Sequence, residues 1–269
     1  MIYTTNGVNV LNTLTPVNSL GSGIEHWGSS YFGPRYSTSE SSPAPQALVT
    51  EMAANETILT HYHPTPQFQL FPSGTGKMGA RDVQPLMVQY KDRHTAYGPL
   101  VAGPLGCTFI ALRNRTGNSS PIHINKPDFR EKLLPSKRRN WFSQHIPLST
   151  RAIMRFRKDV SWEPLFEADK IKDELDASVV RLGAGMSTPG PDARNTGGCY
   201  VFVANGSLDR AGEELPLWSV VYVDTTEPGF EIKAGPQGLE ALVLQFPIDD
   251  DVQTRGTADV SQSVSPITA

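Results

Sequence analysis

Cysteine is nearly absent: Cys107 and Cys199 are the two in 269 residues, and they share no CxxC spacing. That excludes a disulfide framework and a thiolate zinc site, and either thiol reads most simply as a small buried apolar group. Long apolar runs are also missing. No stretch approaches the roughly 18 residues of a membrane-spanning helix, and the amino terminus lacks a basic segment followed by an apolar one, so no secretion signal is expected. Neither sign of charge is in excess: Lys and Arg number 24 against 27 Asp and Glu. The chain therefore has no basic field for nucleic acid or an anionic membrane, and no phosphate-cradling glycine loop or nucleic-acid motif occurs. The expectation is a cytoplasmic protein whose partner is a small molecule.

Turn residues are abundant, with 23 Gly and 22 Pro, and this punctuation suits many short strands rather than long helices. Residues 1–45 are rich in Ser, Thr, Asn, Gly and Pro and read as an extended arm or loose strands, able to associate with a second copy of the chain. From Ala47 the apolar residues fall into runs of strand length, ALVTEMA, TILTHYH, FQLF, LMVQY and CTFIAL, with the spacing of a sandwich or barrel. Residues 114–150 form a polar, basic linker with one short helix around Phe129 to Leu134. A second β series then follows, AIMRFR, SVVRLGAG, CYVFVANG, LWSVVYVD and LEALVLQFPI, with a short helix at EADKIKDEL. Two strand-rich halves of similar size suggest a duplicated β-domain, and residues 251–269 read as a frayed tail.

The segment THYHPTPQFQLFPSGTG, residues 60–76, carries the most chemistry. On one strand, His61 and His63 face the same side and Tyr62 the other. Pro64 and Pro66 force a turn, after which Gln67 and Gln69 share one face of the next strand and can bring a third donor to the imidazole pair. His94, at the end of a later apolar run, could close a coordination sphere. His26, His123 and His145 stand in loop-like contexts without a second ligand at motif spacing. Arg113 ends the strand CTFIALR, either pointing inward as a carboxylate clamp or forming a salt bridge at the rim.

His61-x-His63-x3-Gln67-x6-Gly74 resembles the first motif of the cupin superfamily, HxH(x)3-4E(x)6G, with Gln in place of Glu. His94 is similar in placement to the lone histidine of the second motif. In the second half, CYVFVANG resembles the same strand, with Gly206 as the motif glycine, Cys199 at the Glu position, and Ala193 and Asn195 at the histidine positions. The resemblance implies an all-β bicupin of two tandem double-stranded β-helix (jelly-roll) barrels. Residues 46–113 would form the barrel that bears a metal, and residues 151–250 a degenerate one without histidine.

It further implies one divalent transition metal, Fe(II) foremost with Zn, Mn, Ni or Cu as alternatives, held by His61, His63, Gln67 and His94. Neutral ligands would leave the charge of the ion uncompensated and favour an anionic or enolic substrate. Gln69 would hydrogen-bond that substrate, Tyr97 would donate a proton or orient it, and Arg113 would bind its carboxylate. The reaction expected on this basis is that of an oxygenase. A Lewis-acid isomerase or lyase would use the same residues, and a non-catalytic small-molecule-binding cupin is the alternative of another class.

Overall fold

The computed structural model describes residues 1–18, 25–35, 42, 44–116, 121–167 and 171–248. The tail at 251–269 lies outside them, as does part of the arm. The strands up to residue 113 are β1 (Ile2–Thr5), β2 (Thr15–Asn18), β3 (Glu25–Phe32), β4 (Gln46–Met52), β5 (Thr57–Ile58), β6 (His61–Tyr62), β7 (Gln67–Met78), β8 (Arg81–Val83), β9 (Met87–Lys91) and β10 (Leu100–Arg113). Beyond it come β11 (Ile122–His123), β12 (Asn140–Phe142), β13 (Ser161–Pro164), β14 (Asp176–Leu182), β15 (Ser187–Pro189), β16 (Cys199–Arg210), β17 (Glu213–Leu215), β18 (Val220–Val223) and β19 (Glu231–Gln245). The helices α1 (Gly7–Leu11), α2 (Pro127–Arg130) and α3 (Arg151–Phe156) are each under two turns long.

Each half is built on its own sheet. The N-terminal sheet runs β12-β9-β7-β10-β4-β3-β2, with β5 and β8 attached, and the C-terminal one β1-β18-β16-β19-β14-β13, with β15 and β17 attached. Neither path returns to its first strand, so the expected barrels are not closed by hydrogen bonds among the described residues. Their long strands bend instead. At Gly74, on β7, φ is +75° and an added Cβ would lie 2.4 Å from the Gly106 carbonyl oxygen of β10; at Gly206, on β16, φ is +73° and the same atom would lie 2.1 Å from that of Gly238 on β19. The two pairs are equally spaced in their halves and sit at irregularities of the ladder, where glycine alone tolerates both the φ and the close approach.

The arm serves both sheets: β1 pairs with β18, and β2 and β3 extend the N-terminal sheet through β4. One expected strand is a helix. AIMRFR folds as α3, whose helical turn buries Met154 alone and seats it against Gly206 and Gly238. The linker helix is α2, starting two residues before its expected position. The EADKIKDEL helix is absent from the described part of that segment, and residues 168–170 lie outside it.

The two sheets turn their outer faces toward each other. Phe68, Leu70, Val88, Tyr90, Ile110 and Leu112 of the first half pack with Tyr200, Phe202, Val220, Tyr222, Leu242 and Leu244 of the second in one core. Each sheet consequently has an inner face that the other half does not cover.

Candidate functional site

The inner faces differ in kind. In the C-terminal half, β16 and β18 set Cys199 opposite Val223 and Val201 opposite Val221, and these join Val180, Leu182, Ala193, Ala241 and Val243 in an apolar core. At the matching places of the N-terminal half, β7 and β9 set Gln67 opposite Lys91 and Gln69 opposite Gln89. All four are buried. The same framework is thus filled with hydrocarbon in one half and lined with polar groups in the other, where burial is costly unless those groups are used. This contrast locates the candidate site.

Arg113, from β10, is 3% exposed and lies inside rather than at the rim. Its Nε donates to Gln67 Oε1 at 2.9 Å, one terminal nitrogen donates to Gln46 Oε1, and the other donates to His63 Nε2 at 3.2 Å. Lys91 Nζ donates to Gln69 Oε1 at 3.1 Å and lies 2.8 Å from the centre of the Tyr97 ring. Among the described residues no carboxylate pairs with either cation. Asp92, next in sequence to Lys91, leaves the strand on the other face and is bound by Arg139 and by the Tyr90 hydroxyl.

The histidines are held as neutral bases. His61 Nδ1 lies 2.7 Å from the Leu59 carbonyl, which can only accept, so the proton is on Nδ1. Nε2 therefore carries the lone pair and accepts from the Tyr97 hydroxyl at 2.7 Å. The same reasoning from Arg113 puts the His63 lone pair on Nε2 and a proton on Nδ1, which is buried without a partner. Gln89 Oε1 is likewise buried and unpartnered. Burial, reinforced by Lys91, pushes His61 down to about 3; burial and then Arg113 hold His63 well below its usual range. Burial lowers Lys91, with a further push from Arg113. Burial also raises Tyr97 and brings Arg113 down to about 10, still charged at neutral pH.

Of the residues expected from sequence, the structure gathers His61, His63, Gln67, Gln69, Tyr97 and Arg113. His94 meets them through its backbone alone, its N–H donating to the His63 carbonyl at 2.8 Å, while its ring lies elsewhere. That residue occupies a turn at φ +53°, with its ring 5.4 Å from that of Tyr62, the side chain that leaves the strand opposite to His61 and His63. The third imidazole beside the pair is His123, paired with His61 across β6 and β11, its ring 5.9 Å away. Sequence reasoning passed over Lys91, Gln46, Gln89 and His123. The alternation of MVQYK could have shown Gln89 and Lys91 sharing a face, whereas the pairing of β11 with β6 leaves no mark in local sequence. Both cysteines are buried thiols raised by burial, Cys107 to about 11 and Cys199 to about 12, which leaves them inert.

This set does not suit a divalent cation. Among the described residues no three His, Cys, Asp or Glu side chains gather as ligands, the interior holds no anionic donor, and the Arg113 guanidinium, charged at neutral pH, already occupies it. The Nε2 lone pairs of His61 and His63 are taken by Tyr97 and Arg113.

No protein-family model matches the chain, and no curated protein matches it in sequence. Solved structures do match in fold. A Nostoc punctiforme protein provisionally assigned as a dioxygenase has 11% identity and a TM-score of 0.58, over 92% of this chain and 83% of its own. Escherichia coli pirin YhhW in complex with nickel(II) has 11% identity and a TM-score of 0.55, over 93% of this chain and 100% of its own. An oxalate decarboxylase variant from Bacillus subtilis has 11% identity and a TM-score of 0.51, over 97% and 84%. The fold is thus of the cupin type, and no helix among the described residues is long and apolar enough to cross a membrane.

Proposed function

We propose that the interior of the N-terminal half binds a small organic anion, a carboxylate or an enolate, and acts on it by acid–base chemistry. The observation that carries this reading is the burial of Arg113 and Lys91 on one inner face with amides, an imidazole and an aromatic ring as their partners and, among the described residues, no carboxylate. The Arg113 guanidinium is unfavourable out of water without an anionic partner, and an arriving anion relieves it, with the Lys91 nitrogen beside it as a further hydrogen-bond donor. A carboxylate outcompetes the Gln67 and Gln46 amide oxygens for the Arg113 fork because its bonds are charge-assisted.

Tyr97 and His61 form the proton-carrying pair. The phenol proton points at the lone pair of a neutral imidazole whose other nitrogen is anchored on Leu59, so a proton lost by Tyr97 to a substrate oxygen can return through His61. The test is calorimetric titration of the full chain with mono- and dicarboxylates. Saturable binding that disappears in Arg113→Met supports the site; no binding by wild type to any acid of the panel defeats it.

The metal-dependent oxygenase is the second reading, with the isomerase or lyase as its variant. It is supported by the adjacent His61 and His63, whose rings lie 5.1 Å apart, and by the nickel bound in the pirin of like fold. It requires Tyr97 and Arg113 to release the imidazole nitrogens. Elemental analysis of protein purified without chelators decides: near-stoichiometric metal lost in His61→Ala and His63→Ala favours it, and trace metal alike in all three counts against it.

A further inference from the structure

We propose that Lys91 is an amine nucleophile that condenses with the carbonyl group of an oxo acid held by Arg113, so that the anion of the preceding proposal, on which this one rests, is a 2-oxo or 3-oxo acid. Four features of the interior lead to it. Lys91 is 2% exposed, although lysine is almost never fully buried unless paired. Among the described residues its nitrogen touches a neutral amide oxygen and an aromatic face, and no carboxylate there fixes it as an ammonium. The titratable groups that face it are Arg113, His61, His63 and Tyr97, none of them acidic enough to be an anion at neutral pH. The matching position of the C-terminal half is Val223, inside a solid apolar core, so the fold has no structural need of an amine there.

An amine in such a place favours its uncharged form, as burial and the neighbouring guanidinium both dictate for Lys91. That is the form that attacks a carbonyl. Nζ donates its lone pair to the carbonyl carbon, the C–N bond forms, and the carbonyl oxygen takes the proton of the Tyr97 hydroxyl. The nitrogen then gives up its two protons, one restoring Tyr97 through His61 and one completing a water molecule as the C–O bond breaks. The balance is one amine and one ketone to one imine and one water, with no change in oxidation state. Protonated, the imine withdraws electrons from the adjacent carbon, which eases loss of a carboxyl group or a proton from it. Lys91 and Arg113 lie on neighbouring walls of the interior, Lys91 at the end of β9 and Arg113 at the end of β10, with β7 between them, a separation that suits a molecule bearing its carbonyl and carboxylate a few bonds apart.

Reductive trapping tests this directly. The full chain is incubated with pyruvate or acetoacetate and sodium cyanoborohydride near pH 7.5, and the product is read by intact mass and peptide mapping. The expected result is a single adduct per chain, mapped to Lys91, absent in Lys91→Met and lost in Arg113→Met. Lys91→Arg, which keeps the charge and the length, should also give no adduct, and it serves where the methionine variant does not fold. Adducts scattered over surface lysines, or none with either acid, overturn the proposal. Titration with lactate and 3-hydroxybutyrate, which have no carbonyl to trap, separates the two claims. Arg113-dependent binding of these without any trapped adduct sinks the amine and leaves the anion site standing, and failure of both sinks both.

Discussion

At the scale of residues, the interior of the N-terminal half is organised around polar and basic groups that the fold does not need. Arg113 and Lys91 are retained although replacement of buried charges by apolar groups of like volume commonly stabilises a protein by about 1–4 kcal/mol. Lys91→Met should therefore raise the thermal midpoint, as followed by calorimetry, while leaving Arg113-dependent carboxylate binding in place; a fall in midpoint would mean that the amine is a structural member of the interior. Tyr97→Phe should cost about 1–2 kcal/mol, because it leaves His61 Nε2 buried without its donor. Much of this cluster was legible in the sequence, since the spacing of His61, His63, Gln67 and Gln69 follows from the strand period alone. Lys91 escaped notice because a lone lysine at the end of an apolar run has the look of a residue that reaches solvent. His94 was misplaced for a different reason: its turn passes over the Tyr62 side of the strand, and which side a turn takes is set by tertiary packing.

At the scale of elements, the glycines at the bends do what no other residue can. Gly74→Ala should destabilise by about 1–3 kcal/mol, read as a lower denaturant midpoint, because a methyl group at φ +75° meets the Gly106 carbonyl. Gly206→Ala should do the same in the other half. The repeated AGPxG of residues 102–106 and 234–238 carries the partner glycines of both pairs and is a plainer sign of duplication than the strand count. The strand pattern was readable because the period of two survives even in short runs. AIMRFR misled because a six-residue run with Ala152, Met154 and Phe156 at alternate places is too short for its period to separate a strand from a single helical turn.

At the scale of the whole molecule, titration of the buried bases couples the site to stability. His61 and His63 are held below the ordinary histidine value of 6.5, His61 at about 3, so the unfolded chain binds protons that the folded one refuses. Their contribution is fully present above pH 6.5 and is lost progressively as the pH falls from there toward about 3. The thermal midpoint should drop between pH 7.5 and pH 4.5, and His63→Gln should flatten the upper part of that slope; an unchanged profile would show that these imidazoles titrate normally. The broad architecture, two β halves of one design, was visible in the sequence, whereas their mutual packing was not, because the apolar outer face of a strand does not name its partner.

That packing reaches the site through the Tyr200 hydroxyl. Tyr200, from the apolar C-terminal half, donates to the backbone carbonyls of Gln46 and Arg113, at 3.1 and 2.8 Å. The half without chemistry is therefore the anvil on which the other is held still, and a truncated chain ending near residue 150 should lose its grip on ligands even if it remained folded.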